Sequence, residues 1–87
     1  MDPREVIGEW DEGIVFMDGY DEALVGVCQR YGMPPVALYD TEKVVAMLVA
    51  QGLTEADAME YFYFNMEGAW VGDHTPAFAT FMPKENI

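Results

Sequence analysis

The sequence predicts an α+β domain, and three observations predict it. Short runs of β-forming residues separated by turn residues fill the first half of the chain. Two stripes of apolar residues at three- and four-residue spacing follow, joined at Gly52-Leu53-Thr54. A last β-rich stretch, Ala77 to Met82, closes the order β-β-β-α-α-β. The expected architecture is an antiparallel sheet of about four strands covered on one face by two helices. At 87 residues the chain is read as a single domain, residues 1–87, with residues 1–12 as a flexible or helical acidic N-terminal arm.

Ile14-Val15-Phe16-Met17 is the first expected strand, and Asp18-Gly19-Tyr20-Asp21 after it has the chemistry of a tight turn. Ala23 to Tyr31 reads as the second strand, with apolar residues on both faces. Pro34 and Pro35 cannot donate to a ladder, so Gly32-Met33-Pro34-Pro35 is a turn and Val36 to Tyr39 the third strand. Asp40 or Thr41 caps the first helix, whose stripe is Val44, Val45, Leu48 and Val49. Gly52 sits where a left-handed residue ends a helix. Thr54 opens the second helix, with the stripe Ala58, Met59, Phe62, Tyr63 and Met66 and a stop at Gly68. The expected core therefore sets Val44, Leu48, Met59, Phe62 and Met66 against Val25, Val27, Val36 and Leu38.

Charge narrows the function classes. Sixteen acids against four bases give a formal net charge of −12, which opposes direct binding to nucleic acid or to an anionic membrane. The second helix would carry Glu55, Asp57, Glu60 and Glu67 and no base, so a DNA-reading helix pair is rejected. Eight of the acids stand in the first quarter of the chain, whereas Ala23 to Tyr39 contains none. No apolar run approaches the roughly 18 residues of a membrane helix, and the acidic N-terminus lacks the basic and apolar regions of a signal peptide. The expected location is the cytoplasm.

The inventory for catalysis is thin. Cys28 is the single cysteine and His74 the single histidine, and a nucleophilic pair oriented by Asp73 or Asn65 is formally available. A cysteine in an apolar strand more often acts as a small hydrophobe. Asp18 to Glu22 lacks the spacing of a calcium loop, so no metal or cofactor is expected. No phosphate-binding glycine loop or serine elbow is present. The expectation is a binding protein and not an enzyme.

Tyr61-Phe62-Tyr63-Phe64 places four successive aromatics around one helix, and a single face cannot hold them all. Tyr61 and Phe64 then pack beneath the N-terminal segment or the last strand, or they form a partner surface. The stretch from Tyr61 through Phe64-Asn65, Gly68-Ala69-Trp70-Val71-Gly72 and Thr75-Pro76 to Phe78 resembles a pattern in small proteins encoded by bacteriophages and prophages. Asp18 to Ala23 followed by Val25-Gly26-Val27 is similar to its second hallmark. The resemblance covers Asp18 to Phe78, implies a viral origin, and carries no catalytic residue over. Physically, Asn65 can bond carbonyls freed at the helix end, and Gly68 and Gly72 allow positive φ where the chain reverses.

These features combine in one expectation: a small acidic protein that occupies a basic surface of a protein partner by presenting carboxylates where phosphates would lie. The candidate contact residues are Glu9, Asp11, Glu12, Asp18, Asp21, Glu22, Glu55, Asp57, Glu60 and Glu67, with Tyr61, Phe64 and Trp70. Inhibition of a host nucleic-acid-processing or defence protein fits, whether as an anti-restriction, anti-CRISPR or glycosylase-inhibiting DNA mimic. The alternative is a structural or accessory module that forms a homodimer through its aromatics and an exposed strand.

Overall fold

The computed structural model describes residues 2–83. The first helix, α1 (Pro3–Gly8), is set by Asp2, whose carboxylate accepts the Arg4 backbone N–H at 2.9 Å, and by a proline in its first turn. Ile7 on α1 enters the core. Arg4 fastens the helix to the segment that follows. Its guanidinium donates to Asp21 at 2.8 Å, to Asp18 at 3.2 Å and to the Met17 carbonyl at 3.2 Å, and lies 5.3 Å from the centre of the Phe16 ring.

Ile14 to Met17 does not form the expected first strand. Side chains take the backbone groups of Met17 that a ladder would need: its N–H donates to the Tyr39 hydroxyl at 2.8 Å, and its carbonyl accepts from Arg4. Ile14 is buried, and Phe16 and Met17 pack against the core, so the run serves as an anchored loop. A single 3₁₀ turn at Asp21–Ala23 then leads into β1 (Leu24–Cys28). The strand ends at Cys28 rather than Tyr31, because a turn closed by Met33 N–H on the Arg30 carbonyl, with Gly32 at φ 78°, reverses the chain.

β1 pairs antiparallel with β2 (Val36–Asp40), Leu24 opposite Tyr39 and Cys28 opposite Val36, with an irregularity at Val25. Asp40 ends β2 and caps α2 (Thr41–Ala50), its carboxylate accepting from Glu42 N–H at 2.9 Å and Lys43 N–H at 3.3 Å. Gly52 adopts φ 113° after the helix. Thr54 caps α3 (Glu55–Phe62), accepting from Asp57 N–H at 3.1 Å, and α3 runs on into a π-helical turn at Tyr63–Glu67.

The last strand departs from the expected meander. β3 (Ala77–Ala79) pairs with β2 in parallel, Leu38 opposite Ala77 and Asp40 opposite Ala79, so the sheet is mixed, with three strands in the order β1-β2-β3. Two antiparallel helices return the chain to the end of β2 where it left. The loop 68–76 then carries it back alongside the sheet, and β3 sets out in the direction of β2. β3 spans three residues, and Phe81 and Met82 beyond it are exposed.

The core sits between the sheet and α2–α3, with Ile7 and Ile14 at its margin. Val44, Leu48 and Phe62 are buried as expected. On the sheet, Val27 packs against the core as expected, opposite Ala37, but β2 presents the other face from the one expected. Ala37 and Tyr39 point inward, Val36 and Leu38 are half-buried, and Val25 is exposed. Phe78 of β3 ties the layers together, its ring centroid 4.9 Å from Phe62 at 88° and 6.0 Å from Tyr39.

Candidate functional site

The acids singled out in the sequence divide into two groups. Asp18 and Asp21 are held by Arg4. Asp11 turns its carboxylate onto the Gly13 N–H at 2.7 Å and toward His74 Nε2 at 3.6 Å. The Gly13 hydrogen bond holds the Asp11 carboxyl below the usual carboxylate range, with His74 adding to the effect and burial opposing it. Asp11 and Asp21 therefore help to build the N-terminal quarter, whereas Asp18 touches Arg4 with its side chain 96% exposed. Among the described residues, Glu9, Glu12 and Glu22 are exposed and have no cationic partner.

The acids of the second group lie on α3 and its continuation. Glu55, Asp57, Glu60 and Glu67 are all exposed, and no described Lys, Arg or His lies in ion-pair range of any of them. Helical geometry arranges this surface. Ala58 and Phe62, four residues apart, turn inward, which leaves Asp57, Glu60, Tyr61 and Phe64 to solvent. Tyr61 and Phe64 do not pack beneath the N-terminal segment or the last strand; Phe64 is 77% exposed. The π-helical turn is stitched by Asn65 Nδ2 donating to the Tyr61 carbonyl at 3.3 Å, the role open to Asn65 in the sequence. Gly68 keeps a right-handed φ of −79°, contrary to expectation. A Cβ there would meet the Tyr63 carbonyl oxygen at 3.0 Å, so the residue is small because of close approach and not because of its φ.

Sequence reasoning missed a groove between α2 and α3. It measures about 680 Å³ and is lined by Val45, Ala46, Val49, Met59 and Tyr63, with Glu42 and Glu55 at its rim and Thr41 and Thr80 at one end. Met59 and Tyr63 belong to the stripe assigned to the core, yet both are exposed. The legible signal was the width of that stripe: Ala58, Met59, Phe62 and Tyr63 span more of the helix surface than one packed face can take up.

Trp70 is 70% exposed and lines a hollow of about 250 Å³ with Cys28, Arg30 and Asp73, apart from the groove between α2 and α3. Cys28 is half-buried in β1. No hydrogen bond joins Cys28 to His74 among the described residues; His74 instead faces Asp11, and its Nε2 is buried without a hydrogen-bond partner. Among the described residues no three His, Cys, Asp or Glu side chains converge as a metal-ligand set, and no helix is long and apolar enough to cross a membrane. No family model, curated protein or solved structure matches this chain.

Proposed function

We propose that this protein is an acidic binding protein that docks on a basic surface of a protein partner through the carboxylates of α3 and its continuation. The carrying observation is the exposure of Glu55, Asp57, Glu60 and Glu67 with no described cation in ion-pair range, while bonds within the fold occupy Asp11, Asp18 and Asp21. A field summed over several such charges steers association with a cationic surface and makes it fast and salt-sensitive. Tyr61 and Phe64 beside them supply the amphipathic area that interfaces favour. A partner that itself binds nucleic acid offers such a surface, which keeps inhibition of a nucleic-acid-processing or defence protein within this reading.

Affinity capture from cell lysate at low and at high salt, with the bound proteins identified, tests the proposal. Partners with basic surfaces should be retained at low salt, released at high salt, and lost to a Glu55→Gln, Asp57→Asn, Glu60→Gln, Glu67→Gln variant that keeps its circular dichroism and melting temperature. Capture that is indifferent to salt and to these four charges refutes it.

A further inference from the structure

We infer that the α2–α3 groove is the seat of a basic amphipathic helix, which gives the acidic-surface reading, on which this inference rests, its partner chemistry. The two walls carry matching periodicities. On α2, Glu42, Val45, Ala46 and Val49 recur at three- and four-residue steps; on α3, Glu55, Met59 and Tyr63 recur at four. Such rows are ridges, and the space between two antiparallel helices accepts the ridge of a third. Ala46 is the smallest side chain in the lining, and its brevity deepens the hollow at mid-helix. Helices of ten and eight residues give a trough about 12–15 Å long, which is two to three turns of an occupant.

The chemistry of the lining selects the occupant. The floor is aliphatic with one thioether and one aromatic ring. Met59 is 42% exposed and Tyr63 55% exposed, so the groove leaves contiguous apolar area open. The rim is acidic on both walls, Glu42 on α2 and Glu55 on α3. Glu60 and Glu67 add charge along the exposed side of α3 and its continuation. An occupant therefore needs apolar residues at helical spacing facing down and Lys or Arg flanking them. A second copy of this chain fits worse, because it would bring Glu42 and Glu55 against their own copies and join two molecules of formal charge −12.

Three synthetic peptides decide the matter, each a 14-residue helix: Lys with Leu at three- and four-residue spacing, Glu with the same Leu pattern, and Lys with Gln in place of Leu. Titrated into ¹⁵N-labelled protein, the Lys/Leu peptide should shift the amides of Val45, Val49, Met59 and Tyr63. A Val49→Thr, Met59→Gln variant, which replaces two exposed side chains with polar ones of similar size, should bind at least tenfold more weakly with the salt slope retained. A Glu42→Gln, Glu55→Gln variant should flatten that slope. Equal binding of the Lys/Gln peptide, with shifts at Glu55, Asp57, Glu60 and Glu67, overturns the groove and leaves the acidic-surface reading standing, whereas shifts confined to Glu9, Glu12 and Glu22 overturn both. Equal binding of the Glu/Leu peptide, or no binding of the Lys/Leu peptide at low salt, overturns both. A dimer in sedimentation that the Val49→Thr, Met59→Gln change dissociates makes a second copy the occupant and overturns the inference.

Discussion

Removing one oxygen atom, by Tyr39→Phe, tests how the N-terminal half is attached to the sheet. Tyr39 is fully buried, and its hydroxyl accepts the Met17 N–H at 2.8 Å. Phenylalanine keeps the ring against Phe78 and leaves the core volume nearly unchanged, so the loss is confined to this bond. A donor left unpaired in a partly buried site costs about 1–3 kcal/mol, against about 0.5–1.5 kcal/mol for a hydrogen bond that water can replace. Met17 is half-buried, which places the expected cost near about 1.5 kcal/mol. At roughly 0.05–0.15 kcal/mol per residue, a chain of 87 residues has about 4–13 kcal/mol in all. The variant should therefore lose a measurable share, seen as a melting temperature lower by about 6–12 °C and a lower urea midpoint at unchanged slope. Alkali supplies a second signature. Burial raises the Tyr39 pKa above the ordinary tyrosine value, and the hydrogen bond from Met17 opposes the shift. The folded state then holds a proton that the unfolded state has released. Stability attributable to this group is intact below the unfolded value of about 10 and falls as pH climbs from there toward the folded value. Tyr39→Phe should lack that part of the alkaline decline. A variant as stable as the parent, with the same alkaline profile, would refute the attachment of residues 14–17 through this side chain.

Phe62→Ala should cost about 3–5 kcal/mol, because Phe62 is 1% exposed and its ring meets Phe78 edge-on; a melting curve like the parent's would remove it from the core. Gly13→Ala should be destabilising, since a Cβ there would meet His74 Cε1 at 2.8 Å, and the penalty should shrink in a His74→Ala background, as a double-mutant cycle by urea unfolding would report. Asp11 has a folded pKa below its unfolded value, so its stabilisation is present above the ordinary carboxylate pKa of about 3.9 and is lost as pH falls through the lower folded value. Asp11→Asn should therefore remove part of the acid dependence of the urea midpoint, and an unchanged profile would count against the Asp11–Gly13 bond.

Local signals carried the helices and the turns. Asp40 and Thr54 cap as their residue types dictate, and Gly52 turns left-handed where a helix must end. The sheet was less legible because its pairing is decided by groups far apart in the chain. Nothing near Met17 announces that its N–H belongs to Tyr39 or that its carbonyl is shared by Arg4 and the Tyr20 N–H, yet these bonds take up the backbone groups that a ladder at Met17 would need. The direction of β3 depends on the path of the loop 68–76, which local propensity does not encode. The inward face of β2 misled for a related reason. Val36 and Leu38 have the stronger hydrophobic claim over Ala37, but Tyr39 fills the core with a large ring and reaches Met17 with its hydroxyl, and the period of two carries Ala37 inward with it. On the candidate surface the residue types were legible and the division of labour was not.

That division of labour bears on how the charge should be understood. In sequence the acids crowd into the first quarter, and the natural inference is a repelling cluster there. The fold places one arginine at its centre: Arg4 binds Asp18 and Asp21 while it closes on the Met17 carbonyl, and Asp11 caps the Gly13 turn facing His74. Replacing all the acids of that quarter would therefore loosen the attachment of α1 as well as change the field, and weakened binding could be read either way. The acids of α3 do not have this double role, apart from the modest favourable interaction of Glu55 and Asp57 with the start of their helix, worth about 0.3–1 kcal/mol at most exposed sites. Glu55 also lines the flank of the α2–α3 pair, whose apolar side chains are left open at Met59 and Tyr63. The acids Glu42 and Glu55 and the open side chains of Met59 and Tyr63 line the same groove, and the fold makes little use of either the charge or the apolar area there. A covering partner accounts for both at once, whereas solubility accounts for the charge and leaves the groove unexplained.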